Sequence, residues 1–197
     1  GADAYNVAMG YNAGYAVTTG IQNTIIGGLA GDAVTTGSYN VILGTNGGGG
    51  VTTGSQNIII GQGTATAALT GSQNTIVGDS AGAAMTSGTL NVAVGALDAL
   101  ELNTTGANTA VGANSLATVT SGTLNVAVGN DALNVNTASN NTAVGASALV
   151  ANTTGASNVA VGKGALDANT TASSSVAVGD GALGANTVGS YSVAIGF

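Results

Sequence analysis

A five-residue pattern, Asn-x-small-aliphatic-Gly, recurs through the whole 197-residue chain and restricts it to architectures built by stacking. Its closing glycines are Gly10, Gly27, Gly44, Gly61, Gly78, Gly95, Gly112, Gly129, Gly145, Gly162, Gly179 and Gly196. Successive closures lie 17 residues apart, except for one 16-residue step that ends at Gly145. Four residues before each closure stands Asn6, Asn23, Asn40, Asn57, Asn74, Asn91, Asn108, Asn125, Asn141 or Asn158, and then Ser175 and Ser192 in the last two copies. A unit this short cannot enclose a core by itself, so neighbouring copies must bury one another.

Within each copy the residue before the glycine is large and aliphatic, from Met9 to Ile195. The residue before that is Ala or Ile, and the one before that Val, Ile or Thr. This period of two predicts a short strand. Four residues past the glycine, Gly14, Gly31, Gly48 and Gly82 give way in the second half to Leu116, Leu133, Leu149, Leu166 and Leu183, in a segment expected to form a second short strand. Turns such as Thr18-Thr19-Gly20, Thr35-Thr36-Gly37, Thr52-Thr53-Gly54 and Thr153-Thr154-Gly155 follow.

The expected fold is therefore all-β, a parallel β-solenoid or β-roll of about twelve 17-residue coils. It forms a single repeat domain over 1–197, with Gly-rich coils in 1–95 and Leu-bearing coils in 96–197. At about 4.8 Å per coil the rod is on the order of 55 Å long. Like residues stack on like, which makes the Asn and Gly positions named above the expected structural ladder. Both strand faces are apolar; one fills the thin interior and the other calls for a partner.

Composition removes most chemistry. The chain has no His or Cys, and Lys163 is its sole cation against eight acids, for a net charge of −7. The usual ligands for zinc, haem and iron–sulfur clusters and the commonest general base are missing, so no enzyme, catalytic residue, cofactor or metal is expected. A single cation cannot neutralise a phosphate backbone, which excludes nucleic acid as a partner. No run approaches the roughly 18 apolar residues of a membrane helix, so this segment is not expected to insert in a membrane. With no Met or signal-like stretch at Gly1, any export signal is expected to have been removed or to lie outside the chain.

The remaining candidates read as structural. Gly47-Gly48-Gly49-Gly50 lacks the Gly-Lys-Ser/Thr of a phosphate loop and is expected as a widened turn. The acids Asp3, Asp32, Asp79, Asp98, Glu101, Asp131, Asp167 and Asp180 do not recur at one repeat position, as calcium-binding rolls require. Asp98 and Glu101 have no His or Arg nearby to tune them for acid–base work. Asn103, Asn140, Asn152 and Asn169 lie in glycosylation sequons, where the turn itself demands Asn and Thr. Tyr5, Tyr11, Tyr15, Tyr39 and Tyr191 offer a carbohydrate-stacking or partner patch, against simple packing at the ends. Thr24, Thr75, Thr109 and Thr142 alternate irregularly with Val and Ile along the strands, a poor lattice for ice.

The runs Asn91 to Gly95, Asn125 to Gly129 and Asn158 to Gly162, with Ser175 to Gly179 and Ser192 to Gly196, resemble the head repeats of YadA-like trimeric autotransporter adhesins. Asn152-Thr153-Thr154-Gly155 leading into Asn158 to Gly162 is also similar to repeats of phage tail fibres and bacterial surface fibres. The resemblance implies a left-handed parallel β-roll packed as a side-by-side homotrimer. It also implies an extracellular, cell-surface or virion-surface protein: a non-enzymatic structural fibre or adhesin head that mediates attachment. Its expected partners are copies of itself, as homotrimer or filament, and a host surface glycan or protein receptor. The alternatives are a filament subunit that polymerises end to end and, behind it, an ice-binding solenoid.

Overall fold

Each motif folds as one three-residue strand, and the strands stack in sequence order. In the computed structural model, which describes residues 4–102 and 104–197, these are β1 Val7–Met9, β2 Thr24–Ile26, β3 Val41–Leu43, β4 Ile58–Ile60, β5 Thr75–Val77 and β6 Val92–Val94. The series continues with β7 Thr109–Val111, β8 Val126–Val128, β9 Thr142–Val144, β10 Val159–Val161, β11 Val176–Val178 and β12 Val193–Ile195. Asp3 and the sequon residue Asn103 lie outside the described residues.

All twelve strands form one parallel sheet in the order β1 to β12. The register keeps repeat equivalents opposite one another, as in Val41↔Ile58, Ile42↔Ile59 and Leu43↔Ile60. The 16-residue step does not disturb it, since Val126 faces Thr142. Twelve strands make a β-solenoid of about eleven turns.

The central residue of each strand points inward. From β2 to β11 it is buried, while its two neighbours stay partly exposed. Each coil adds only one thin layer of inward side chains, which is why Ala, Val, Ile and Leu suffice for its apolar part.

Among the described residues the expected second strand does not form. Counting each closing glycine as position 0, the residues at positions 2 and 4 both have positive φ, as in Leu29 (57°) and Gly31 (50°). Two left-handed residues so close together cannot lie in extended chain, so this segment turns instead.

Position 4 is where the halves of the rod differ, and the difference is compensated across the interior. A Cβ on Gly48 would sit 3.1 Å from both Cδ1 and Cγ2 of Ile42, and one on Gly31 would sit 3.0 Å from Ile42 Cδ1. Large Ile at the strand centre therefore leaves room opposite it only for Gly31, Gly48 and Gly82, or for Ala65 in the coil of Ile59. Where the strand centre shrinks to Ala110, Ala127, Ala143 and Ala160, the residue six places on is Leu116, Leu133, Leu149 and Leu166, each fully buried. Those leucines keep the left-handed conformation, with φ between 50° and 54°. Its cost of about 1–2 kcal/mol is offset by roughly 2–3 kcal/mol from burying a Leu side chain.

Three coils depart from the pattern; after Gly61 the buried slot that Val34 and Val51 hold passes to Leu69, one residue later. In the coil after Gly95 an extra residue enters near Asp98, so that Leu100 (φ 56°), not Ala99, takes the Leu slot and donates its N–H to Ser115 O at 3.0 Å. Register returns at Thr105, whose carbonyl accepts from Asn91 Nδ2 at 3.0 Å. In the 16-residue coil, Thr137 N still bonds Thr153 O (2.9 Å), and Ala138 O already serves Asn125 Nδ2 (2.8 Å). The missing residue thus falls in the bend between them. The Gly47–Gly50 run is not a widened turn: its coil keeps 17 residues, with Gly47 and Gly48 buried.

Candidate functional site

The closing glycines stack so closely that side chains are excluded. A Cβ on Gly27 would lie 2.6 Å from Gly44 C, and one on Gly61 would lie 2.7 Å from Gly78 C. The same holds for Gly10, Gly44, Gly78, Gly95, Gly112, Gly129, Gly145, Gly162 and Gly179 toward the glycine of the next coil, whereas Gly196 has no such neighbour.

Beside them runs a buried amide ladder. Asn40 Oδ1 accepts from the backbone N–H of Asn57 (2.9 Å) and from its Nδ2 (3.2 Å), while Asn40 Nδ2 donates to Gly54 O (2.9 Å). Asn6, Asn23, Asn57, Asn74, Asn91, Asn108, Asn125, Asn141 and Asn158 repeat the axial link from side-chain oxygen to the next backbone N–H. Serine continues the ladder less tightly, with Ser192 N donating to Ser175 Oγ at 3.3 Å.

A second amide ladder was missed by sequence reasoning. Asn152 Nδ2 donates to Asn136 Oδ1, and Asn169 Nδ2 to Asn152 Oδ1, each at 2.7 Å and fully buried. Asn136, Asn152, Asn169 and Asn186 occupy position 7, where earlier coils carry Val17, Val34, Val51, Met85 and Val119. Counting back 17 residues from Asn169 to Asn152, and then 16 to Asn136, would have exposed this column. Burial also removes Asn152 and Asn169 as glycan acceptors in the folded coil, whereas Asn140 is exposed.

Hydroxyls extend the axial bonding at the bends. Thr18, Thr35, Thr137, Thr153 and Thr170 each donate Oγ1 to the carbonyl at position 8 of the next coil, at 2.8–3.1 Å. Ser38, Ser55, Ser72 and Ser173 accept backbone N–H groups from the coil before at 3.0–3.1 Å.

Three kinds of surface surround this scaffold. The outward strand residues form two columns of Val, Thr and Ile along the sheet, with Ile58 42% and Val161 37% exposed. Charge is confined elsewhere: Asp32, Asp79, Asp98, Glu101, Asp131, Lys163, Asp167 and Asp180 all fall within the six residues after a closing glycine. Position 12, just ahead of the buried Asn, carries Tyr5, Gln22, Tyr39, Gln56, Gln73 and Leu90 on successive coils, all exposed and left-handed.

Among the described acids, only Asp98 and Glu101 meet. Partial burial, the Asp98 charge and a hydrogen bond with Asp98 hold the Glu101 carboxyl above its ordinary value. Among the described residues no three His, Cys, Asp or Glu side chains converge, and no helix is long and apolar enough to cross a membrane. Tyr11 and Tyr15 are exposed at other coil positions, and Tyr191 is exposed at position 12 but on the last coil, far along the rod from Tyr39. Compared with family models, with curated proteins and with solved structures, the chain finds no match.

Proposed function

We infer that this chain is a structural fibre segment, a non-enzymatic rod on a cell or virion surface that projects and attaches. The observation that carries the reading is the continuous uncharged ribbon on the outer face of the twelve-strand sheet. Roughly 55 Å long and on the order of 10 Å wide, it covers about 550 Å². That is the upper end of the apolar patch a monomer leaves in water, and larger patches mark interaction surfaces. Every described charge lies on another part of the coil, so copies meeting through this ribbon bring no like charges together.

Side-by-side packing of three copies about a common axis, in the left-handed β-roll sense of the YadA-like repeats, covers this ribbon on each. Light scattering on the purified chain tests it. A particle of three times 18.3 kDa is expected. A monomer that stays folded at high concentration refutes the assembly, and open-ended fibres in the electron microscope replace it with end-to-end polymerisation.

A further inference from the structure

Position 12 forms an aromatic and amide track along the first five coils. Tyr5, Gln22, Tyr39, Gln56 and Gln73 follow one another up the axis, with φ between 48° and 63°. The left-handed backbone aims each side chain outward in the same direction. It is held there by axial bonds from Gln22 N to Ala4 O (2.7 Å), Tyr39 N to Ile21 O (3.0 Å), Gln56 N to Ser38 O (2.9 Å) and Gln73 N to Ser55 O (3.0 Å). A rigid, exposed row of this kind pays little ordering entropy when it binds.

The chemistry of the row selects its ligand. Tyr5 is 71% exposed and Tyr39 52%, so both side chains stand largely in solvent. Gln22, Gln56 and Gln73 supply amide donors and acceptors between and beyond the rings. No charged side chain occurs at this position in any described coil, so neither a phosphate nor a polyanion is matched. The two rings stand two coils apart, about 9.6 Å, the scale of two sugar units in an extended chain. We propose that the track of Tyr5, Gln22, Tyr39, Gln56 and Gln73 binds a neutral, extended β-linked polysaccharide laid parallel to the rod axis. The rings stack on sugar faces that recur every second unit, and the amides hydrogen-bond the hydroxyls along the chain. The track ends where Leu90 replaces the amide at the same position in the next coil.

This proposal rests on the attachment role inferred above and gives it a ligand class. The chain has no Trp, so its near-ultraviolet emission comes from five tyrosines, of which Tyr5 and Tyr39 stand on this track. The full chain is titrated with cellohexaose and chitohexaose, and with a heparin hexasaccharide as the anionic control, while light scattering follows its mass. Saturable quenching by a neutral hexaose is expected. Tyr39→Ala should weaken it by about tenfold and Gln56→Ala by severalfold, with Tyr15→Ala and Tyr191→Ala unchanged. The absence of saturation by either neutral hexaose up to millimolar concentration overturns the proposal, as does equal sensitivity to Tyr191→Ala or preference for heparin. If Tyr39 is shielded from acrylamide in the native particle, the track is an inter-copy contact and the proposal also fails. In each of these cases an unchanged oligomer mass leaves the fibre reading standing, whereas a folded monomer that still binds cellohexaose removes the assembly and keeps the track.

Discussion

Exchanging the core pair in one coil tests whether the two halves of the rod are alternative solutions to the same packing problem. Ile42→Ala removes a fully buried side chain and leaves a cavity, at about 3 kcal/mol within the usual range for Ile→Ala. Gly48→Leu places a Cβ 3.1 Å from Ile42 Cδ1 and Cγ2, and 3.4 Å from Val51 Cγ2. Overpacking there costs about 1–3 kcal/mol, and a non-glycine residue at φ +60° adds about 1 kcal/mol. If the sites were independent, the double variant would lose roughly 6 kcal/mol. The Ala143 and Leu149 pair shows the same two slots filled in the opposite sense, both fully buried. Ile42→Ala/Gly48→Leu should therefore lie within about 2 kcal/mol of the parent, a favourable coupling of about 4 kcal/mol. At roughly 2–4 °C per kcal/mol for a chain of this length, each single variant lowers the thermal midpoint by about 6–12 °C, and the double variant recovers most of that loss. Circular dichroism melts of the four proteins at one concentration measure the cycle. Additive losses would refute the idea that core volume is conserved across the coil.

Other positions yield sharper failures. Gly61→Ala sets a Cβ 2.7 Å from Gly78 C at a φ of +143°, against backbone that cannot move without breaking register, and should leave little folded protein at 25 °C by circular dichroism. Asn57→Ala deprives Asn74 N and Nδ2 of their acceptor and Gly71 O of its donor inside a dry interior, at about 2–4 kcal/mol in urea titration. Asn57→Ser, the residue found at position 175, should recover part of that loss because Oγ can still accept an axial N–H. For Glu101, whose carboxyl is raised above its ordinary value, the folded state binds more protons than the unfolded one, so stability declines as pH climbs from the unfolded to the folded value. Glu101→Gln should flatten that slope in melts between pH 4 and 7, and an unaltered profile would show that the Glu101 carboxyl is not raised as described.

Most of the fold is legible in the sequence because a stacked architecture writes its register as a period. The three β-forming residues before each glycine announce the strand, and the nearly constant spacing announces parallel pairing. Position 4 misled because Leu116 and Leu133 look like strand residues. Their left-handed backbone is tolerated only because the interior rewards the buried side chain, which is a tertiary effect with no local signature. The amide ladder from Asn136 to Asn169 was hidden for a different reason: an Asn followed two residues later by Thr reads first as a surface sequon. Burial alone separates the two meanings. The segregation of the eight described charges to the six residues after a closing glycine was in principle visible, but charges spread so thinly along the rod reveal a column only when the coils are superposed.

The bend in the 16-residue coil bears on how such a rod changes over generations. Because Thr137 and Ala138 restore the axial bonds on either side of the missing residue, loss of a bend residue leaves the coils above and below in phase. A gain or loss of one whole motif meets the same chemistry at both junctions. Rod length is consequently a discrete quantity, stepped by about 4.8 Å per motif. Slippage of the coding repeat can lengthen or shorten the reach of the molecule without redesigning any coil.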